Sequence, residues 1–188
     1  MKKAFKYRIY PNKAQRALFQ ATFGCCRFVY NKTLDIRKTA YAMDKTQLSE
    51  FDLIKKIKPL KEEFPWLRDV PAVCLPQAVG DMNDAFRDFF KSGKGYPKFK
   101  TKHRSRKSCR FPGQSCAVLQ DISRLKLPKL GLVKYKKDRE FIGTLRHIVI
   151  TQESNGKYYA SCLVDTGVEA PNPKPVEAST TVGIDLGL

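Results

Sequence analysis

Lys2-Lys-Ala-Phe-Lys-Tyr-Arg-Ile-Tyr10 alternates, with Phe5, Tyr7 and Ile9 on one face and Ala4, Lys6, Arg8 and Tyr10 on the other. A period of two marks a strand with one buried face. Pro11 ends it, and helical spacing then runs to Lys91, so no strand partner lies nearby in the chain. Alternation returns only after Ser92-Gly-Lys-Gly95. Short strands are expected at 108–111, 116–119, 125–127 and 132–135, with longer ones at 141–151 and 157–164. The longer pair flanks Glu153-Ser-Asn-Gly156, whose Asn-Gly is a hairpin signal. A strand must pair its backbone groups somewhere. The first strand therefore returns to this distant sheet, and the helices become an insertion into a β domain. Several short strands with regular turns predict a small barrel or sandwich, and the fold class is α+β.

Within the insertion, Asn12 caps a helix, with Gln15 completing a capping box. Ala14, Leu18, Ala21 and Thr22 form its stripe. Gly24 is read as a break, and a second helix as spanning 25–43. Two helices joined at a glycine fit either a helix-turn-helix or an ordinary helical hairpin. A third helix is expected at 47–58, capped by Thr46 and closed by Pro59. Phe64-Pro-Trp-Leu67 reads as an apolar turn with Trp66 as a core anchor. Residues 71–91 read as a long helix, with Pro76 as its kink or its start. Its stripe of Val79, Met82, Ala85, Phe86, Phe89 and Phe90 reads as core rather than a base-stacking platform. Ala170-Pro-Asn-Pro-Lys-Pro175 is an extended linker, after which β-branched Thr180, Thr181, Val182 and Ile184 form a strand ending at Asp185. The expected division is 1–10 for the first strand, 11–92 for the helical insertion, 93–169 for the rest of the β domain, 170–179 for the linker and 180–188 for the start of a further domain.

The chain has 188 residues and a net charge of +18, from 36 basic and 18 acidic side chains. Such an excess points to a polyanionic partner. It has neither a run of about 18 apolar residues nor a signal-peptide stretch, so the expected location is the cytoplasm and no membrane partner is expected. Cys25, Cys26, Cys74, Cys109, Cys116 and Cys162 include no Cys-x-x-Cys pair and read as reduced, mostly buried thiols rather than a zinc site.

The densest charge lies at residues 91–110, where Lys91, Lys94, Lys98, Lys100, Lys102, Arg104, Arg106, Lys107 and Arg110 are interleaved with Tyr96 and Phe99. No Asp or Glu intervenes between Asp88 and Asp121. In an extended segment, Lys98, Lys100 and Lys102 project to one side and can track a phosphate backbone. Tyr96 and Phe99 either stack on bases or pin the segment to the sheet. Arg27, on the polar side of the second helix, is a further candidate contact.

Tyr7-Arg-Ile-Tyr-Pro11, Phe23-Gly-Cys-Cys-Arg-Phe-Val-Tyr-Asn31, Ala85-Phe-Arg-Asp-Phe-Phe90, Tyr96-Pro-Lys-Phe-Lys100, Leu125-Lys-Leu-Pro-Lys-Leu-Gly131 and Gly183-Ile-Asp-Leu-Gly187 occur in this order along the chain. Together they resemble the OrfB/TnpB family of transposon-encoded RNA-guided nucleases. The resemblance implies a wedge-like, OB-like barrel, an inserted helical recognition domain and a following RuvC-type nuclease of RNase H fold. It implies a guide RNA from the transposon end and a target DNA as partners, with base pairing supplying most of the specificity. Asp185 matches the family's first catalytic aspartate and would be a Mg²⁺ ligand in a two-metal site. The partner carboxylates and a Cys-rich zinc-binding insertion belong to segments not among these 188 residues, so the expectation is an incomplete site, no cofactor in this chain and no cleavage. The family also places contacts to the target-flanking duplex near residues 73–77, which makes Gln77 a candidate, although Pro76 stands where members commonly carry glutamine. The alternative function is a DNA-binding regulator using a helix-turn-helix between Phe19 and Leu34.

Overall fold

The computed structural model describes residues 1–169 and Gly183. β1 (Lys2–Tyr10) is the central strand of a seven-stranded antiparallel sheet. The others are β2 (Lys107–Pro112), β3 (Ala117–Leu119), β4 (Arg124–Leu127), β5 (Gly131–Tyr135), β6 (Thr144–Gln152) and β7 (Tyr158–Asp165), in the order β2-β6-β7-β1-β5-β4-β3. β1 pairs with β7 along most of its length, Tyr7 opposite Ala160, and with β5 at its end, Ile9 opposite Tyr135. The return of the first strand to a sheet more than a hundred residues away is thus realised. Closure is not: β2 and β3 remain edge strands, so the sheet is open rather than a hydrogen-bonded barrel.

The alternation places Tyr7 and Ile9 in the core, against Val133, Tyr135, Ala160 and Cys162, with Phe5 partly buried beside Phe141 at 5.2 Å between ring centroids. β7 alternates buried and half-buried residues throughout. Its hairpin with β6 turns through Glu153–Gly156, where Gly156 takes a left-handed φ of 77° and Asn155 Oδ1 accepts from the Lys157 N–H at 2.9 Å.

The helices depart further from expectation. α1 runs unbroken from Lys13 to Asp44. Its buried residues, including Phe19, Phe23, Cys26, Val29, Tyr30 and Leu34, keep one phase across Gly24. A glycine inside a helix costs only about 1 kcal/mol, less than this stripe gains by burial. The cap follows expectation: Asn12 and Gln15 form a reciprocal box, and Gln15 Nε2 also donates to the Leu130 and Leu132 carbonyls, docking the helix start on β5. In place of a third helix at 47–58 there are two short ones, α2 (Glu50–Lys55) and α3 (Ile57–Glu63). Ser49, not Thr46, caps α2 through a box with Asp52. Pro59 does not close a helix but sits in the first turn of α3, where an N–H has no intrahelical acceptor. Pro76 sits likewise in the first turn of α4 (Cys74–Ser92), so it marks a start, not a kink. Trp66 is 43% exposed rather than a core anchor, because the intervening 3-10 turn points Leu67 inward and leaves the indole edge-on to Phe28. No helix among the described residues is long and apolar enough to cross a membrane.

Candidate nucleic-acid interface

Gly93, at a left-handed φ of 63°, ends α4 and releases residues 94–106, which carry the chain to β2 without regular structure. The segment is tied down at its start. Tyr96 packs edge-on against Phe86 and Phe89, at 5.4 and 5.3 Å, and Pro97 is buried. Asn31 of α1 then grips the backbone of Lys100: its Oδ1 accepts from the Lys100 N–H and its Nδ2 donates to the Lys100 carbonyl, both at 2.8 Å. Farther along, Ser105 Oγ accepts from the Thr101 N–H, closing a turn.

These anchors decide which cations face out. Lys100 turns inward, its Nζ 3.9 Å from the centre of the Tyr30 ring. Burial lowers its pKa, and Asp81 pulls the other way. Arg110, on β2, pairs with Asp81 at 2.6 Å. Burial raises the Asp81 pKa, against the pull of Arg110 and Lys100. The Arg110 Nε is buried without a hydrogen-bond partner among the described residues. Lys100 and Arg110 therefore serve the junction of α1, α4 and β2, and the single-sided row Lys98, Lys100, Lys102 is not formed. Lys94 pairs with Asp88 at 2.6 Å on the surface.

Lys98, Lys102, Arg104, Arg106 and Lys107 are exposed and make no ion pair among the described residues. The last four line a groove of about 550 Å³ between residues 102–107 and the β6–β7 hairpin, with Gln152 opposite. Gln152 Oε1 accepts from Lys107 at 3.3 Å. Glu153 on the same wall is engaged by Lys6 at 2.8 Å. Phe99 is 48% exposed, with Lys38 Nζ 5.2 Å from its ring centre. Arg27 reaches the rim of a small cavity shared with Arg106, Lys100 and Arg110, so α1 adds a cation to the same region. Gln77, half-buried in the first turn of α4, lines neither cavity. Sequence reasoning missed Gln152, which carries no charge signal, and Asn31, whose role appears only when residue 100 lies beside it.

Among the described residues no three His, Cys, Asp or Glu side chains gather to hold a metal ion. Asp185, the expected Mg²⁺ ligand, lies outside the described residues. Five of the six thiols are buried. Burial pushes Cys25 up to about 11 and Cys162 to about 12, so both are poor nucleophiles.

A family model described as a helix-turn-helix domain of OrfB proteins matches residues 1–46. In this chain that span is one strand followed by one continuous helix. Over an alignment of 188 positions that takes in 98% of the chain, the sequence is 29% identical to the Escherichia coli K12 protein named "Putative RNA-guided DNA endonuclease InsQ", covering 45% of that protein. It is also 29% identical to a Streptomyces pristinaespiralis protein named "Putative RNA-guided DNA endonuclease", covering 46% of it. The chain thus spans just under half the length of both. A third relative, the virulence protein VsdF of Salmonella dublin, is 34% identical over 55% of this chain and 96% of its own length. With the ordered motifs and the matched domain, these similarities show that the chain belongs to the OrfB/TnpB family.

Proposed function

We propose that residues 1–169 are a nucleic-acid-binding module of an RNA-guided DNA endonuclease system, holding guide RNA and target DNA rather than cutting them. The observation that carries this reading is the groove lined by Lys102, Arg104, Arg106 and Lys107. Its cations are exposed and, among the described residues, not neutralised by carboxylates. Cations in such a row displace counterions from a phosphate backbone, which gives affinity without base readout. The names of the two half-matched relatives support RNA and DNA as the polymers. Base pairing between them would supply sequence specificity, with the protein recognising shape. The wedge-like role of the sheet, the recognition role of the helices and a cytoplasmic location belong to the same proposal, as does a following RuvC-like domain with Asp185 as its first Mg²⁺ ligand.

The test is a salt titration of RNA affinity on the full chain and on a variant with Lys102, Arg104, Arg106 and Lys107 all changed to Ala. For single strands the slope of log K against log salt shrinks by about 0.7 for each phosphate that the protein no longer neutralises. A shallower slope in the variant is expected. An unchanged slope, or no salt-dependent affinity in the native chain, would refute the groove as the binding surface.

A further inference from the structure

The last turns of α1 and α4, with the start of the 94–106 segment, enclose a second groove of about 440 Å³. Its walls are aromatic, and three of the rings are largely open: Phe90 is 74% exposed, Tyr41 51% and Tyr96 43%. The helical stripe predicts Phe90 as core, but of its companions in that stripe only Val79, Met82 and Phe86 are buried. Arg37 and Lys38 supply charge: the Arg37 guanidinium lies 4.3 Å from the centre of Phe86, held by Asn83 Oδ1 at 3.0 Å, and the Lys38 ammonium 5.9 Å from Tyr96. Among the described residues no carboxylate lines the groove. The acids nearest along α4 are occupied elsewhere, Asp84 with Arg87 and Asp88 with Lys94.

Exposed rings beside cations that form no ion pair among the described residues suit a ligand that is flat and apolar in one part and anionic in the next. A second copy of this chain does not fit, because it brings a net charge of +18 toward the same cations. A duplex does not fit, because its base faces are already stacked. We infer that this groove takes unpaired bases of single-stranded nucleic acid, stacked on Tyr41, Phe90 and Tyr96, with the adjoining phosphates on Arg37 and Lys38. The inference rests on the nucleic-acid-binding reading and adds a base-dependent subsite to its phosphate-tracking groove. Stacking of this kind tolerates any base.

The experiment uses the full chain and two DNA strands of about twelve nucleotides, within the usual span of single-strand sites. One carries bases, with 2-aminopurine at its centre; the other is abasic throughout and has the same number of phosphates. The base-bearing strand is expected to bind roughly tenfold tighter, with 2-aminopurine fluorescence quenched. Phe90→Ala and Tyr41→Ala, both at exposed positions, are each expected to remove at least about fivefold of that preference while leaving the salt slope intact. Equal affinity for both strands with the slope retained would overturn the aromatic groove and leave the basic one standing. Base preference that survives Phe90→Ala would overturn it as well, as would a Phe90-dependent dimer in sedimentation or displacement of the strand by an acidic apolar peptide. If the fourfold loop variant keeps the full slope while Phe90→Ala abolishes binding, the aromatic groove stands and the basic one falls. No salt-dependent binding of either strand removes both.

Discussion

At the scale of single residues, two glycines give opposite predictions. A Cβ at Gly24 meets nothing within 4 Å, and the residue is inside a helix. Gly24→Ala should therefore stabilise the chain by about 0.5–1 kcal/mol, read as a higher urea midpoint with unchanged m-value. A Cβ at Gly113 would collide with the backbone carbonyl of Leu145, which cannot swing away as a side chain can. Gly113→Ala should cost about 1–3 kcal/mol, visible in the same denaturation experiment. Asp81 yields a pH prediction. Its carboxyl is ordinarily at 3.8 and is raised in the fold by burial. Between those two values the native chain holds more protons than the unfolded one, so the Asp81 contribution to stability falls as pH rises through that window. Asp81→Asn should remove this component, seen as a flatter stability profile than the native chain's from about pH 3.5 upward. It should also lower overall stability, since Arg110 and Lys100 lose the carboxylate they share.

At the scale of elements, the loop that carries the candidate interface borrows its shape from a helix. Asn31 presents its amide to Lys100 as a strand neighbour would, with one donor and one acceptor. Asn31→Ala leaves both backbone groups unpaired at a half-buried site, at a cost of about 1–3 kcal/mol. The expected outcome is faster amide exchange at Lys100, with RNA affinity reduced several-fold, because the cations that follow lose their mooring. Unchanged exchange there would mean that the turn at Thr101–Ser105 orders the loop unaided. Much of this level is legible in the chain. The β hairpin and the Asn12 cap follow from local chemistry: an Asn-Gly turn and a side chain within reach of its own backbone. Gly24 and Pro59 mislead because their intrinsic penalties are small at those positions, and packing of the α1 stripe and the free first turn of α3 outweigh them.

At the scale of the whole molecule, the sheet depends on its earliest strand. β1 separates β7 from β5, and most of its backbone bonds go to β7. A chain lacking residues 1–10 should show no cooperative unfolding transition by circular dichroism, since two half-sheets would be left with exposed edges and an unfilled core where Tyr7 and Ile9 stood. Retention of a two-state transition would show that the halves are independent.

The amino-acid order alone determined the elements whose signals are local: the alternating strands, the capped helix, the basic run after Gly95 and the ordered family motifs. Only the tertiary structure decided which charges remain available. Lys98 and Lys100 are two residues apart and look equivalent in the chain, yet one faces solvent and the other lies over Tyr30. The same holds for Phe86 and Phe90, one turn apart on α4, one buried and one open. The physical reason is that burial and charge pairing depend on what a distant segment brings alongside, here Asn31, Tyr30 and Asp81, and no local pattern records that encounter.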